Sequence, residues 1–215
     1  MKNTNVKNMV LLAMLAAIAF LLVTLVRIPV VLFLSYEPKD VVIAIGGFLL
    51  GPMASFVISL VVSLLEMFTI STTGPIGAVM NLLSTCCFAC TASYIYKKNR
   101  TMMGAILALV VGTVFMTGAM LLWNWLITPL YLGYPRETVA AMLVPVFLPF
   151  NLLKAGLNTA FVLFLYKPLV TALRKTGLIE SREQAGSSSK MGLSIAGILL
   201  LITCVLLLLV FQGKI

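Results

Sequence analysis

From residue 6 to residue 211 the chain is a succession of apolar stretches, most of them near 20 residues long and parted by short polar segments. Roughly 20 apolar residues are what an α-helix needs to cross the hydrocarbon layer of a bilayer. No water is available there to satisfy backbone N–H and C=O groups, so a spanning segment must be a helix or a strand of a closed barrel. The alternation of barrel strands is absent, and the chain reads as an all-α membrane protein. Composition agrees: 61% of the 215 residues are hydrophobic, 10% are charged and the mean hydropathy is +1.14. That leaves no room for a soluble domain.

The spacing predicts helices over residues 6–26, 41–50, 52 to a polar turn at 69–75, 74–96, 102–127, 138–173 and 191–211. The expected organisation is a six-helix membrane domain over 1–175, a polar linker over 176–190 and a seventh, C-terminal transmembrane helix over 191–215. The first apolar stretch is a full span without a clear cleavage site, so it is read as a retained helix and not a signal peptide. The net charge of +9 comes from basic residues at helix ends and in short loops, which is where topology signals belong, and no nucleic-acid partner is expected. Lys2, Lys7, Lys97, Lys98, Arg100, Arg174, Lys175, Arg182 and Lys190 fall on one side, against Arg27, Lys39, Arg136 and Lys214 on the other. The positive-inside rule therefore puts the N-terminus in the cytoplasm.

Within the apolar stretches polar residues form stripes. Asn151, Lys154 and Asn158 stand three and seven positions apart, on one face of a helix. An ionisable group at such depth costs roughly 3 kcal/mol or more unless it faces the protein interior, so Lys154 marks a functional site. Ser55, Ser59, Ser63 and Glu66 form a second stripe, and Glu66 is the expected charge partner of Lys154. Asn81, Ser84 and Thr85 make a third, and Thr113, Thr117, Asn124 and Thr128 a fourth. Pro145 and Pro149 should bend the last of the six helices or free carbonyls just before its stripe.

Around these stripes lie two outer loops, 27–40 and 129–137, the latter with Tyr131, Tyr134 and Pro135 as a second rim of the mouth. In the first, residues 28–34 are β-branched, aromatic and interrupted by Pro29, which suggests an extended or re-entrant lid. Tyr36, Glu37, Lys39 and Asp40 follow, with Asp40 placed to cap the next helix. Gly74, Pro75 and Gly77 open the fourth helix and remove side chains where a flat ligand or another backbone comes close. Trp123 and Trp125 are read as an interfacial belt, with stacking on a ligand as the alternative. Ala13 and Ala17, four apart in the first helix, permit close helix approach, either within the bundle or against another subunit.

Together the stripes describe a pocket for a neutral small molecule rich in hydrogen-bonding groups. An intramembrane enzyme using Glu66 and Lys154 as an acid/base pair is the alternative; no serine nucleophile elbow or phosphate-binding glycine loop accompanies them. There is no histidine, and Cys86, Cys87, Cys90 and Cys204 all lie in apolar segments, so neither a metal nor a redox site is expected. Lacking a phosphate loop, the chain needs other chains for any ATP-driven transport. Lacking an evident inverted repeat, it looks more like a binding subunit than a complete pump.

The order and spacing of several short motifs resemble the substrate-binding S components of energy-coupling factor (ECF) vitamin transporters, the riboflavin-specific members most of all. The motifs are Ala13-x-x-x-Ala17, Tyr36-Glu37-Pro38-Lys39-Asp40-Val41, Gly51-Pro52, Thr73-Gly74-Pro75-x-Gly77-x-x-Met80-Asn81 and Pro149-Phe150-Asn151-Leu152-Leu153-Lys154-Ala155-Gly156. The resemblance covers the first six helices. It implies a non-enzymatic subunit of a bacterial cell membrane that captures riboflavin from outside as a transported ligand, with no cofactor. Asn151 and Lys154 are then donors to the carbonyl and nitrogen edge of the ring, Asp40, Asn81, Tyr36 and Asn124 are further contacts, and Thr73, Gly74 and Gly77 shape the pocket. It also implies that Ala13 and Ala17 meet a transmembrane coupling subunit, and that two ATPase subunits drive a toppling of the S component in the lipid bilayer. An S component for another vitamin remains the alternative. Six helices are usual in this family, so the seventh is a departure.

Overall fold

The computed structural model describes residues 2–71, 73–175 and 190–211; residues 176–189 of the expected linker and Lys214 lie outside them, and Lys190, placed in that linker, opens the last helix. The elements are α1 (Lys2–Leu25), a hairpin of β1 (Ile28–Val31) and β2 (Leu34–Tyr36), α2 (Lys39–Leu50), α3 (Pro52–Thr69), α4 (Gly74–Thr85), α5 (Thr91–Lys98), α6 (Met102–Leu132), α7 (Arg136–Met142), α8 (Leu148–Lys175) and α9 (Lys190–Phe211). α4 and α5 are one span joined through a π-helical turn at Cys86–Cys90. α7 and α8 are likewise joined at Leu143–Phe147. Among the described residues five helical stretches are long and apolar enough to cross a membrane: Val6–Leu25, Pro52–Thr69, Gly74–Lys98, Met102–Leu130 and Arg136–Tyr166. With the short α2 they make the expected six-helix bundle, and α9 is the seventh helix.

The chain boundaries follow local chemistry. Gly51 takes φ +101°, open to glycine, and Pro52 starts α3 where its missing N–H costs nothing. Thr101 caps α6 by accepting the Gly104 N–H at 3.0 Å, and Gly133, at φ +68°, ends it. Both π turns fall where they serve the packing. The first carries the Phe88 carbonyl so close to α6 that a Cβ at Gly112 would stand 2.7 Å from it. The second contains Pro145 and is followed at once by Pro149, so the bend expected from these prolines is there as a widened turn.

α2 is the axis of the bundle. At 12 residues it is about 18 Å long, too short to span, yet Lys39 through Phe48 are all buried. It packs on α1, α3 and α8. α1 turns Leu11, Leu15, Ala19 and Val23 inward, while Ala13 and Ala17 face outward with Met9, Met14 and Ile18. Packing among the described residues therefore does not consume the alanine face. A second apolar cluster lies at the other side, where the hairpin residues Val30, Leu34 and Tyr36 meet Phe147, Phe150, Leu153 and Leu157 of the α7–α8 span and Cys204 and Leu208 of α9.

Candidate functional site

The polar stripes do face inward. Ser55, Ser59, Ser63, Glu66, Ser84, Thr85, Thr117, Asn124, Thr128, Asn151, Lys154 and Asn158 are all buried, in a chain whose outer surface is largely apolar. Of these, Ser84, Asn124, Asn151 and Lys154 border a cavity of about 550 Å³, mouth included, between α4, α6, α8 and the hairpin. α8 supplies Phe150, Asn151 and Lys154, α6 supplies Met120 and Asn124, and α4 supplies Met80, Asn81 and Ser84. Thr73 stands at the entry to α4, and Phe33, Leu34, Ser35, Glu37 and Arg27 close the hairpin side. A smaller recess of about 260 Å³ shares Phe33, Thr73 and Met80 with this cavity and adds Ile76, Gly77, Trp123, Ile127 and Thr128. Trp123, expected in an interfacial belt, thus lines the apolar recess; Trp125 is exposed.

Within the stretch 27–40 expected to form a lid, Lys39 and Asp40 already belong to α2, while residues 28–36 form an extended hairpin with a defined register: Ile28 opposite Tyr36, Pro29 opposite Ser35 and Val31 opposite Leu34. Its two-residue turn puts Leu32 at φ +51°, a left-handed conformation that a Leu rarely adopts. Behind the hairpin runs a chain of charges that starts at the exposed Arg27 and continues through buried groups. Arg27 Nε lies 3.2 Å from Glu37 Oε1, Lys39 Nζ lies 2.8 Å from Glu37 Oε2, and Lys39 also pairs with Glu66. Asn81 Nδ2 then donates to Glu66 Oε2 at 3.0 Å, which ties the lid to the cavity wall. Burial works against the Glu37 carboxylate, but the charges of Lys39, Lys154 and Arg27 outweigh it and hold its pKa below the usual value.

A second group surrounds Asp40, which is fully buried. Its Oδ2 lies 3.3 Å from Lys154 Nζ and accepts from Asn158 Nδ2 at 3.3 Å, while its Oδ1 accepts from Thr85 Oγ1 at 2.6 Å. Three cations and three carboxylates are therefore matched within this region: Arg27, Lys39 and Lys154 against Glu37, Asp40 and Glu66. Unpaired, the buried ones, Glu37, Lys39, Asp40, Glu66 and Lys154, would each carry a desolvation cost of several kcal/mol. Paired, they leave no net charge to recruit an ion.

Several expectations are corrected here. Glu66 is not the partner of Lys154: it is held by Lys39, and Lys154 pairs with Asp40. The reason is positional. α2 begins one residue before Asp40 and buries its first turn between α3 and α8, so Lys39 and Asp40, read as loop residues, become core ions facing those two helices. For the same reason Asp40 is in the first turn and makes no cap; Pro38 stands at the cap position. Lys154 is not the one deep cation either, since Lys39 is 1% exposed.

Of the residues expected to meet a ligand, Thr73, Asn81, Asn124, Asn151 and Lys154 line the cavity and Gly77 lines the recess. Asp40, Tyr36 and Gly74 line neither. Asp40 lies behind the wall, paired with Lys154. Tyr36 is buried in the apolar cluster between hairpin, α8 and α9, its hydroxyl without a hydrogen-bond partner among the described residues. Gly74 provides the left-handed turn, φ +58°, that starts α4. Gly77 leaves room for Thr73, whose Oγ1 a Cβ there would meet at 1.7 Å. Arg27, Phe33, Ser35, Met120 and Phe150 were not expected. Strand alternation in the lid and helical spacing from Asn124 and Asn151 were the signals available for them.

The amides are partly committed. Asn124 Nδ2 donates to the Met120 carbonyl at 2.7 Å and its Oδ1 accepts from Thr128 at 2.9 Å; Asn151 Nδ2 donates to the Phe147 carbonyl at 2.8 Å. With one amide hydrogen so used, Asn151 keeps a second N–H and its carbonyl oxygen, and Lys154 keeps ammonium hydrogens beyond its bond to Asp40. Donors and acceptors thus alternate along the α8 wall. Glu66 and Lys154, each engaged elsewhere, are not arranged as an acid/base pair.

Comparison with known proteins bears on what this cavity serves. The family model described as "ECF transporter, substrate-specific component" matches residues 7–166. The protein named riboflavin transporter RibU of Staphylococcus aureus is 29% identical over 178 residues, covering 79% of this chain and 93% of that protein. RibU of Streptococcus thermophilus is 29% identical over 184 residues, 80% of this chain and 87% of that protein. Riboflavin transporter FmnP of Bacillus subtilis is 28% identical over 163 residues, 70% of this chain and 85% of that protein. A solved structure titled "Structure and mechanism of the S component of a bacterial ECF transporter" superposes with TM-score 0.67 at 30% identity, covering 79% of this chain and 99% of that one.

Proposed function

The chain belongs to the substrate-specific components of ECF transporters, a family of non-enzymatic membrane proteins, and on that premise we propose that it captures riboflavin at the outer face of the cell membrane. The observation that carries this reading is the α8 wall, where Asn151 and Lys154 face a cavity of about 550 Å³ whose charges are matched. A neutral ligand with an edge of alternating carbonyls and ring nitrogen meets there the alternating donors and acceptors that it requires. Lys154 donates to a ring carbonyl, and Asn151, held by Phe147, serves the adjacent nitrogen and carbonyl. The recess of Phe33, Met80, Trp123 and Ile127 gives a flat ring system apolar and aromatic surface. Asn81, Ser84, Thr73 and Ser35 are left for hydroxyl groups of a side chain.

Asp40 contributes by orienting Lys154 through their ion pair, and the hairpin excludes water once the ligand is in. Delivery then falls to partner subunits, because the chain has no phosphate loop of its own. The exposed pair Ala13 and Ala17 on α1 suits close approach of a transmembrane coupling subunit. Two ATPase subunits complete the importer, tilting the binding unit so that the mouth turns inward. With the N-terminus in the cytoplasm, α1 runs outward and places the lid on the outer side, as capture requires.

The absorption spectrum of the purified protein tests the proposal. Flavin bands in stoichiometric amount are expected. A colourless protein that takes up no added riboflavin but binds thiamine or biotin overturns the assignment.

A further inference from the structure

α9 lies beyond the segment that the family model matches, which ends at residue 166, and its packing gives it a task in ligand binding. Its inward residues are Gly197, Leu201, Cys204 and Leu208, spaced i, i+4, i+7 and i+11 and so on one face. The opposite face, with Ile198, Ile202, Val205 and Leu207, is exposed. Cys204 crosses α8 at Gly156, where a Cβ would stand 3.3 Å from its Sγ. Gly156 is two residues beyond Lys154, so α9 leans on the back of the wall that carries Asn151 and Lys154. Cys204 and Leu208 then continue past α8 into one cluster with Val30, Leu34 and Tyr36 of the hairpin, and α9 also lies beside β1. The distal half of α9 is therefore at the level of the lid.

We infer that Leu201, Cys204 and Leu208 of α9 are positioning residues for binding: they clamp the lid hairpin against α8 and so set how fast ligand enters and leaves. The hairpin has two short strands and a strained turn at Leu32. A two-stranded ribbon of that kind is marginal on its own, so its closed position depends on what its apolar side chains touch. To open, Val30, Leu34 and Tyr36 must separate from the Leu201–Cys204–Leu208 face, and α9 thereby slows both association and release. The part concerning ligand rates rests on the proposed capture of riboflavin; the part concerning the hairpin does not.

The test uses the full-length chain in detergent. In the ligand-free protein, amide hydrogen exchange over residues 28–36 is compared between wild type, the double variant L201A/L208A and the control I202A/V205A on the exposed face of α9. Hairpin exchange is expected to rise roughly tenfold in L201A/L208A and to stay at the wild-type rate in the control. With riboflavin bound, release is expected to accelerate by a similar factor while the thermal midpoint of the core helices holds. V30A, on the lid side of the same contact, guards against a variant that fails to fold: it should reproduce the faster exchange, and adding L208A to it should give less than the product of the two effects. Unchanged hairpin exchange in L201A/L208A, or an equal rise in I202A/V205A, overturns the inference. Failure of riboflavin to bind at all overturns the proposed function and leaves the exchange comparison standing.

Discussion

Replacing Asp40 by Asn probes the buried ion pair behind the binding wall. Asp40 is fully buried, 3.3 Å from the Lys154 ammonium, and also accepts from Thr85 and Asn158. The D40N substitution keeps the shape but removes the charge, leaving Lys154, itself 6% exposed, without its counter-ion. Removing one member of a buried pair costs about 3–5 kcal/mol, whereas replacing both by apolar groups of similar volume is often close to neutral. D40N is therefore expected to lower stability by about 3 kcal/mol, which for a chain of this size is a fall of roughly 10 °C in thermal midpoint. D40N/K154M should recover most of that loss while losing ligand affinity. Thermal unfolding of ligand-free protein in detergent, followed by circular dichroism, supplies all four corners of the cycle. A D40N loss below about 1 kcal/mol, or a double variant no better than the sum of its singles, refutes the pairing.

Two other perturbations give distinct readouts. Gly77→Val forces the Thr73 side chain out of its place, since even a Cβ would meet Thr73 Oγ1 at 1.7 Å; ligand affinity should fall at least tenfold with little change in helix content, as calorimetry and circular dichroism report. Glu37 has a folded-state pKa below its unfolded one, so its contribution is fully present above about pH 4.3, the ordinary Glu value, and is lost as pH falls through the folded value. Hairpin exchange, corrected for intrinsic rates, should accordingly be level from neutral pH to about pH 5 and rise below it, and E37Q should remove that acid-dependent rise.

What the sequence makes legible here is periodicity. An isolated polar residue three, four or seven positions from another in an apolar stretch reports a face, and each stripe so read, from Ser55–Glu66 to Asn151–Asn158, does turn inward. Pairing between stripes is another matter, because it depends on where a helix starts in space. Lys39 and Asp40 look like loop residues, flanked by Glu37 and Pro38, and no one-dimensional pattern reveals that α2 buries its first turn. Hence Glu66 and Lys154, the two ions visible inside long apolar stretches, look like each other's partners when each has a nearer one on α2. The π turns are similarly invisible: Pro145 marks the second one, but nothing around Cys86–Cys90 distinguishes the first from ordinary helix. The seventh helix has no polar stripe, so its inward face rests on Gly197, Leu201, Cys204 and Leu208, a pattern that lipid exposure on the other side conceals.

Flavin binding by the Asn151–Lys154 wall is tested most directly by titrating riboflavin with purified protein and following its fluorescence, with K154M measured beside the wild type. Saturable quenching at one ligand per chain is expected, weakened roughly 10- to 100-fold in K154M by loss of a charged hydrogen bond. Absence of quenching by the wild type, or equal affinity in K154M, contradicts it.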